Sequence, residues 1–112
     1  PIGSYQLIQQ DLADIHTAVV TSRLVCYNAL ASIDRGERAN ALSAMAKRYA
    51  VDACERAVAL AMRVHGAMGL SVELGLERIA RDVRMIAIPD GTPGILTLIH
   101  GRELTGIDPF RG

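Results

Sequence analysis

Apolar residues recur at helical spacing along the first third of the chain. Ile8, Leu12, Ile15, Val19, Cys26, Leu30 and Ile33 follow one another at intervals of three, four or seven, the period of an amphipathic helix. Gln9, Asp11, Asp14, Thr17 and Arg23 lie on the opposite side. The pattern predicts a helix over about residues 6–33. Asp34-Arg35-Gly36 ends it, with Gly36 suited to the left-handed position beyond a helix C-terminus. A second stripe, Leu42, Met45, Tyr49, Ala53, Ala57, Leu60 and Val64, predicts a helix over about residues 39–64. Much of that stripe is alanine, so a neighbouring helix can pack close.

A shorter third helix is expected over about residues 72–87, with Ser71 as its N-cap and Glu73 in its first turn. Leu76, Ile79, Val83 and Ile86 are expected to face inward. Arg78, Arg81 and Arg84 fall on the other side, with Glu77 four residues before Arg81, as on a solvated, salt-bridged face. Pro89-Asp90-Gly91-Thr92-Pro93 reads as a turn. Thr92 then caps a fourth helix, with Pro93 as its first residue, running to about residue 104. Thr105-Gly106 and Asp108-Pro109 stop it. The expected fold is all-α: an up-down four-helix bundle of two long and two shorter helices, forming one domain over 1–112.

Charge removes one class of function. Lys and Arg total 12, as do Asp and Glu, so the basic footprint that nucleic-acid binding needs is lacking. No apolar run is long enough to span a bilayer. No charged-then-apolar leader opens the chain, and a cytoplasmic location is expected. Cys26 and Cys54 lie far apart in apolar helical stretches, as reduced core thiols. With no CxxC pair and no His/Cys cluster, a metal site is not expected.

Three segments carry residue types that serve backbone geometry or charge rather than packing. Pro1-Ile2-Gly3-Ser4-Tyr5-Gln6 puts an aromatic ring and an amide at a helix start. His65-Gly66-Ala67-Met68-Gly69 allows close approach of a ligand or of another backbone. Asp90-Gly91-Thr92 offers a carboxylate on a turn beside free N–H groups, a ready anion site. Each also has an architectural reading: an exposed helix start, glycines that end a helix, an Asp-Gly turn. His16 and His100 have no paired acid or nucleophile in the sequence and receive no role.

In order and spacing, these segments resemble the C-terminal helical domain of the acyl-CoA dehydrogenase family. The resemblance runs through Pro1-Ile2 and Tyr5-Gln6, Leu12-Ala13-Asp14-Ile15, Ala44-Met45-Ala46-Lys47 and the 65–69 glycine segment. It continues through Glu77-Arg78-x-x-Arg81-Asp82-x-Arg84, Asp90-Gly91-Thr92 and His100-Gly101-Arg102-Glu103-Leu104. It implies an FAD-dependent oxidoreductase that forms a double bond between the α and β carbons of an acyl-CoA thioester. It implies homo-oligomers, typically tetramers, that hold FAD between subunits. It also implies an N-terminal helical domain and a middle β-domain, which lie outside these residues. Tyr5 and Gln6 would touch the FAD of a neighbouring subunit. Arg63, Gly66 and Gly69 would lie along its adenosine-diphosphate part, and Thr92 would contact the same cofactor.

Asp90 stands at the position of the catalytic base, where the family usually has glutamate. Three readings follow. Asp90 serves as the base with a shifted substrate placement, as aspartate does in nitroalkane-oxidising relatives; or the base comes from another position; or the subunit is silent within a mixed oligomer. Arg63 stands where glutamine is common, and Pro93-Gly94 replaces a polar pair. Arg63 could compensate by facing a phosphate. A non-catalytic subunit or a helical oligomerisation module is the alternative. The 112-residue chain by itself is expected to be inactive and to expose an apolar docking face through which it self-associates.

Overall fold

The computed structural model describes residues 1–111. Among these residues the chain is all helical, with no strand. A short 3₁₀ turn over Ile2–Ser4 leads into α1 (Gln6–Asp34), then α2 (Asn40–Val64). A second 3₁₀ segment, Gly66–Leu70, connects to α3 (Leu76–Ile86) and α4 (Pro93–Thr105). The expectation of two long and two shorter helices holds.

The long helices run antiparallel. Asp11 meets Arg63, Tyr49 Oη donates to Thr21 Oγ1 at 2.9 Å, and Cys54 Sγ lies 4.0 Å from Ser22 Oγ. Residue numbers thus rise on one helix as they fall on the other. α2 is the hub: α1, α3 and α4 each pack on it and not on one another. The result is a body of 53 × 25 × 23 Å, its length set by α1, about 43 Å at helical rise.

The core explains why α2 is rich in alanine. Its buried residues are Ala44, Ala46, Ala53 and Ala57. Opposite them, α1 buries Asp11, Ser22, Ala29 and Ser32. Small residues on both helices bring the two backbones close. Leu96 is the one large side chain among the most buried residues.

Here the structure corrects the sequence reading. Leu12, Val19, Leu30 and Ile33, expected in the core, are 38–54% exposed, while Asp11, expected in solvent, is buried. α1 is apolar around much of its circumference but has only α2 to cover it. The small-residue face wins that contact, and the large residues remain outside with Leu7, Leu24 and Tyr27. Ile79 and Ile86 of α3 are exposed for the same reason. The chain thus exposes the apolar face expected of it. Cys26 and Cys54 are free thiols, each half-buried.

α3 also starts later than its pattern suggests. Ser71 is not its cap. The Ser71 hydroxyl donates to Met68 O at 2.9 Å, closing the 3₁₀ segment. It also holds the Glu73 carboxyl below its usual range by hydrogen bonding. The helix begins at Leu76 after Gly75, and Glu77 rather than Glu73 occupies the first turn. The arginine face is solvated as expected, with Arg81 paired to Glu77 and Arg84 to Glu55.

The α1–α2 corner is a Schellman closure. Glu37 N–H reaches Ser32 O at 3.1 Å, and Gly36 N–H, at φ +73°, reaches Ile33 O at 2.9 Å. The Glu37 carboxylate then locks it, accepting from Ser32 Oγ at 2.7 Å and from Arg35 Nε at 2.6 Å. Arg35 first, and Ser32 after it, hold the Glu37 carboxyl down to about 2, against 4.5 for a free side chain. Because the folded value is the lower one, this lock contributes fully above about pH 4.5 and is lost as the pH falls through about 2. Relative to the intrinsic rate at each pH, amide exchange at Gly36 and Glu37 is expected to accelerate over that window. In Glu37→Gln it should be fast already at neutral pH and show no such step.

Candidate functional site

The turn between α3 and α4 carries Asp90 in an unusual conformation. Asp90 has φ +55°, the only positive φ outside glycine among the described residues. Aspartate tolerates this region better than most side chains because its short polar group can bond locally. Lys47, about two turns into α2, holds the turn from beneath: its ammonium donates to Pro89 O and, at 3.2 Å, to Gly91 O. The Asp90 carboxylate is left exposed, at the edge of an open cleft of about 510 Å³ between α2 and α4. Arg38, Ser43, Lys47, Leu96 and Arg102 line that cleft.

Thr92 is the N-cap residue of α4, as expected, and Pro93 its first residue. The Thr92 hydroxyl makes no capping bond. Leu96 N–H is the first to be bonded, to Thr92 O, so the Gly94 and Ile95 N–H groups point free from the helix start. Together they form a positive pole open to an anion. A larger cleft, about 540 Å³, opens on the other side of this terminus, lined by Arg48, Glu55, Arg84 and Thr97. Asp90 does not border it, and the chemistry argues for the smaller cleft.

The other candidates gather at the far end of α2. Tyr5 and Gln6 are exposed at the start of α1. The antiparallel packing brings this start to the C-terminus of α2, where Arg63 sits. Arg63 Nε donates to Asp11 Oδ2 at 3.1 Å, and a second guanidinium nitrogen donates to Asp11 Oδ1. The Arg63 side chain is 67% exposed, whereas that of Asp11 is 8% exposed. The hydrogen bonds that Arg63 donates to Asp11, and then the Asp11 charge, raise the Arg63 pKa.

The two glycines of this end do different things. Gly66, at φ +58°, lets the chain leave α2, with open space where a side chain would go. Gly69 is buried, and a Cβ there would lie 2.3 Å from Met62 O. Its role is contact with the α2 backbone, which seats the Gly66–Leu70 segment on the end of α2. His65 Nδ1 lies 2.8 Å from Ala61 O, a local contact on α2.

The candidates therefore form two clusters. Lys47 under the Asp90 turn and Arg63 are sixteen residues apart on α2, about 24 Å at helical rise. Thr92 lies with Asp90 at one end of α2, away from Arg63 of the same chain. Two residues of the site were not singled out in the sequence. Lys47 lies in a motif that was noted but carries no local sign of its role. Asp11 looked like any solvent-facing acid.

Among the described residues no group of side chains could hold a metal ion, and no helix is long and apolar enough to cross a membrane.

Residues 1–105 match the family model described as "Acyl-CoA dehydrogenase, C-terminal domain". The chain is 36% identical to the 3-(aryl)acrylate reductase of Clostridium sporogenes over 93% of its own length and 28% of that protein's. It is 34% identical to the cyclohexane-1-carbonyl-CoA dehydrogenase of Geobacter metallireducens, over 93% of this chain and 27% of that one. For the glutaryl-CoA dehydrogenase of Desulfococcus multivorans the identity is 34%, over 96% and 28%. Among solved structures, the FAD complex of PigA superposes with a TM-score of 0.88 at 28% identity, covering 92% of this chain and 27% of PigA. The chain thus spans about a quarter of the length of these relatives.

Proposed function

The chain belongs to the acyl-CoA dehydrogenase family, as its C-terminal domain, and from that premise we propose that it supplies the catalytic carboxylate and part of an inter-subunit FAD site in an acyl-CoA dehydrogenase. In this reading it works with an N-terminal helical domain and a middle β-domain of the kind the family carries. The assembly is a homo-oligomer, a tetramer, in the cytoplasm.

The observation that carries the reading is the separation of the two clusters. A cofactor held between subunits needs each chain to offer two surfaces, one for its own active site and one for a neighbour's. Asp90 and Thr92 at one end of α2, and Tyr5, Gln6, Arg63 and Gly66 at the other, meet that requirement. Gly69 supports the second surface from behind. The residues also fit the group. Arg63 keeps exposed donors for a diphosphate, Gly66 leaves open space, and the start of α4 favours negative charge. Tyr5 offers an exposed ring against which a flat heterocycle can lie.

Asp90 has the chemistry for the proton step. Its carboxylate oxygen takes the α proton of an acyl-CoA thioester, forming the carboxylic acid. Lys47 fixes the turn so that the short side chain is presented at one place. When bound, FAD supplies the hydride acceptor for the β carbon. Asp90 is exposed in this chain, so the water exclusion that makes a carboxylate an effective base must come from the other domains. The isolated chain is accordingly inactive in this reading. An aspartate where glutamate is usual favours one second reading, a silent subunit of a mixed oligomer.

The test is spectroscopic. The full flavoprotein carrying this domain is purified and a panel of acyl-CoA thioesters is added without an electron acceptor. Bleaching of the oxidised flavin by at least one thioester is the expected result. Bound flavin that no thioester bleaches would favour the silent subunit, and a protein with no flavin would end the FAD reading.

A further inference from the structure

The sequence puts two charges where they look unrelated, Asp11 early in α1 and Arg63 late in α2. The fold makes them one unit. Asp11 is among the most buried residues of the chain, and both its oxygens are taken by the same guanidinium. Such two-point pairing fixes the plane of an arginine as a single contact cannot. Arg63 meanwhile stays largely in solvent. One edge of the fork is spent on Asp11, and the remaining N–H donors belong to a side chain that is largely open to solvent.

Burying a carboxylate beneath an exposed arginine is not explained by stability alone. A partly exposed ion pair stabilises little, and an apolar residue at position 11 would fill the same space on α1. The arrangement makes sense if the orientation of the arginine matters.

We propose that Asp11 is a positioning residue for the cofactor site: it holds Arg63 so that the outer edge of the guanidinium engages a diphosphate, that of FAD. The inference rests on the FAD reading above and adds to it a residue and a role. It also makes a prediction of opposite sign to simple electrostatics. Removing the Asp11 charge leaves Arg63 less neutralised, which by charge alone should tighten binding of an anionic cofactor. If orientation is what counts, removing it weakens binding.

The test uses the apo form of the full flavoprotein, titrated with FAD, for wild type, Asp11→Asn, Arg63→Ala and the double variant. Thermal melts of the four apo proteins run alongside. Each single variant is expected to bind FAD roughly ten times more weakly. The double variant should be no weaker than Arg63→Ala, because Asp11 acts only through Arg63. The FAD-induced rise in melting temperature should shrink in the variants, a change that mere loosening of the apo fold does not produce. Unchanged or tighter binding in Asp11→Asn overturns the proposal and leaves the FAD site standing. So does a double variant weaker by the product of the two single effects. Wild type that binds no FAD overturns both this inference and the reading beneath it.

Discussion

Asp90→Asn is expected to leave FAD bound and to slow thioester-driven flavin bleaching by at least about a hundredfold, the lower range for loss of a general base. The substitution is unusually clean at this position. Asparagine matches aspartate in size and enters the left-handed region as readily, so the φ of +55° costs it nothing new. Lys47 holds the turn through the backbone carbonyls of Pro89 and Gly91, and neither bond involves the Asp90 side chain. What changes is the carboxylate alone. Loss of bleaching with full flavin occupancy therefore identifies the base. Equal bleaching in both proteins moves the base to another residue, the second of the readings that the missing methylene leaves open.

How far the sequence leads depends on whether a signal is local. Helix ends governed by local chemistry were legible. Gly36 closes α1, Thr92-Pro93 opens α4 and Gly106 follows its last residue, all where expected. The start of α3 was not legible, because Ser71 had two possible local partners. It closes the preceding 3₁₀ segment instead of capping a helix. The inward face of α1 misled for a different reason. Hydrophobic periodicity finds the most apolar stripe, and in a domain that docks against others that stripe need not face its own core. Asp11 points inward to meet Arg63 and Ala29 to meet the alanine-rich face of α2, while Leu30 and Ile33 lie outside. Likewise the position of Asp90 could be read from a motif, but its support by Lys47 bridges more than forty residues. The division of the candidates between two ends of α2 follows from the antiparallel pairing, which no single segment reveals.

Gly69→Ala is expected to be the most damaging single-methyl change in the chain, costing about 3 kcal/mol, the upper range for overpacking. A Cβ at this position would lie 2.3 Å from Met62 O, 2.8 Å from Met62 Cα and 2.9 Å from its carbonyl carbon. All three are backbone atoms of α2, whose helical hydrogen bonds keep them from yielding as a flexible side chain would. Gly66→Ala is the control three residues away. It meets no atom within 4 Å and suffers only from its φ of +58°, about 1–2 kcal/mol. Urea unfolding of the two variants at matched protein concentration separates the effects. Gly69→Ala should be the less stable, and equal stabilities would mean that the Gly66–Leu70 segment moves off α2 at little cost. That second outcome has a functional consequence. The segment lies against the end of α2 that carries Arg63, so a turn free to shift could not serve as a fixed wall for a cofactor. A rigid wall requires the close contact at Gly69, and hence a residue with no side chain there.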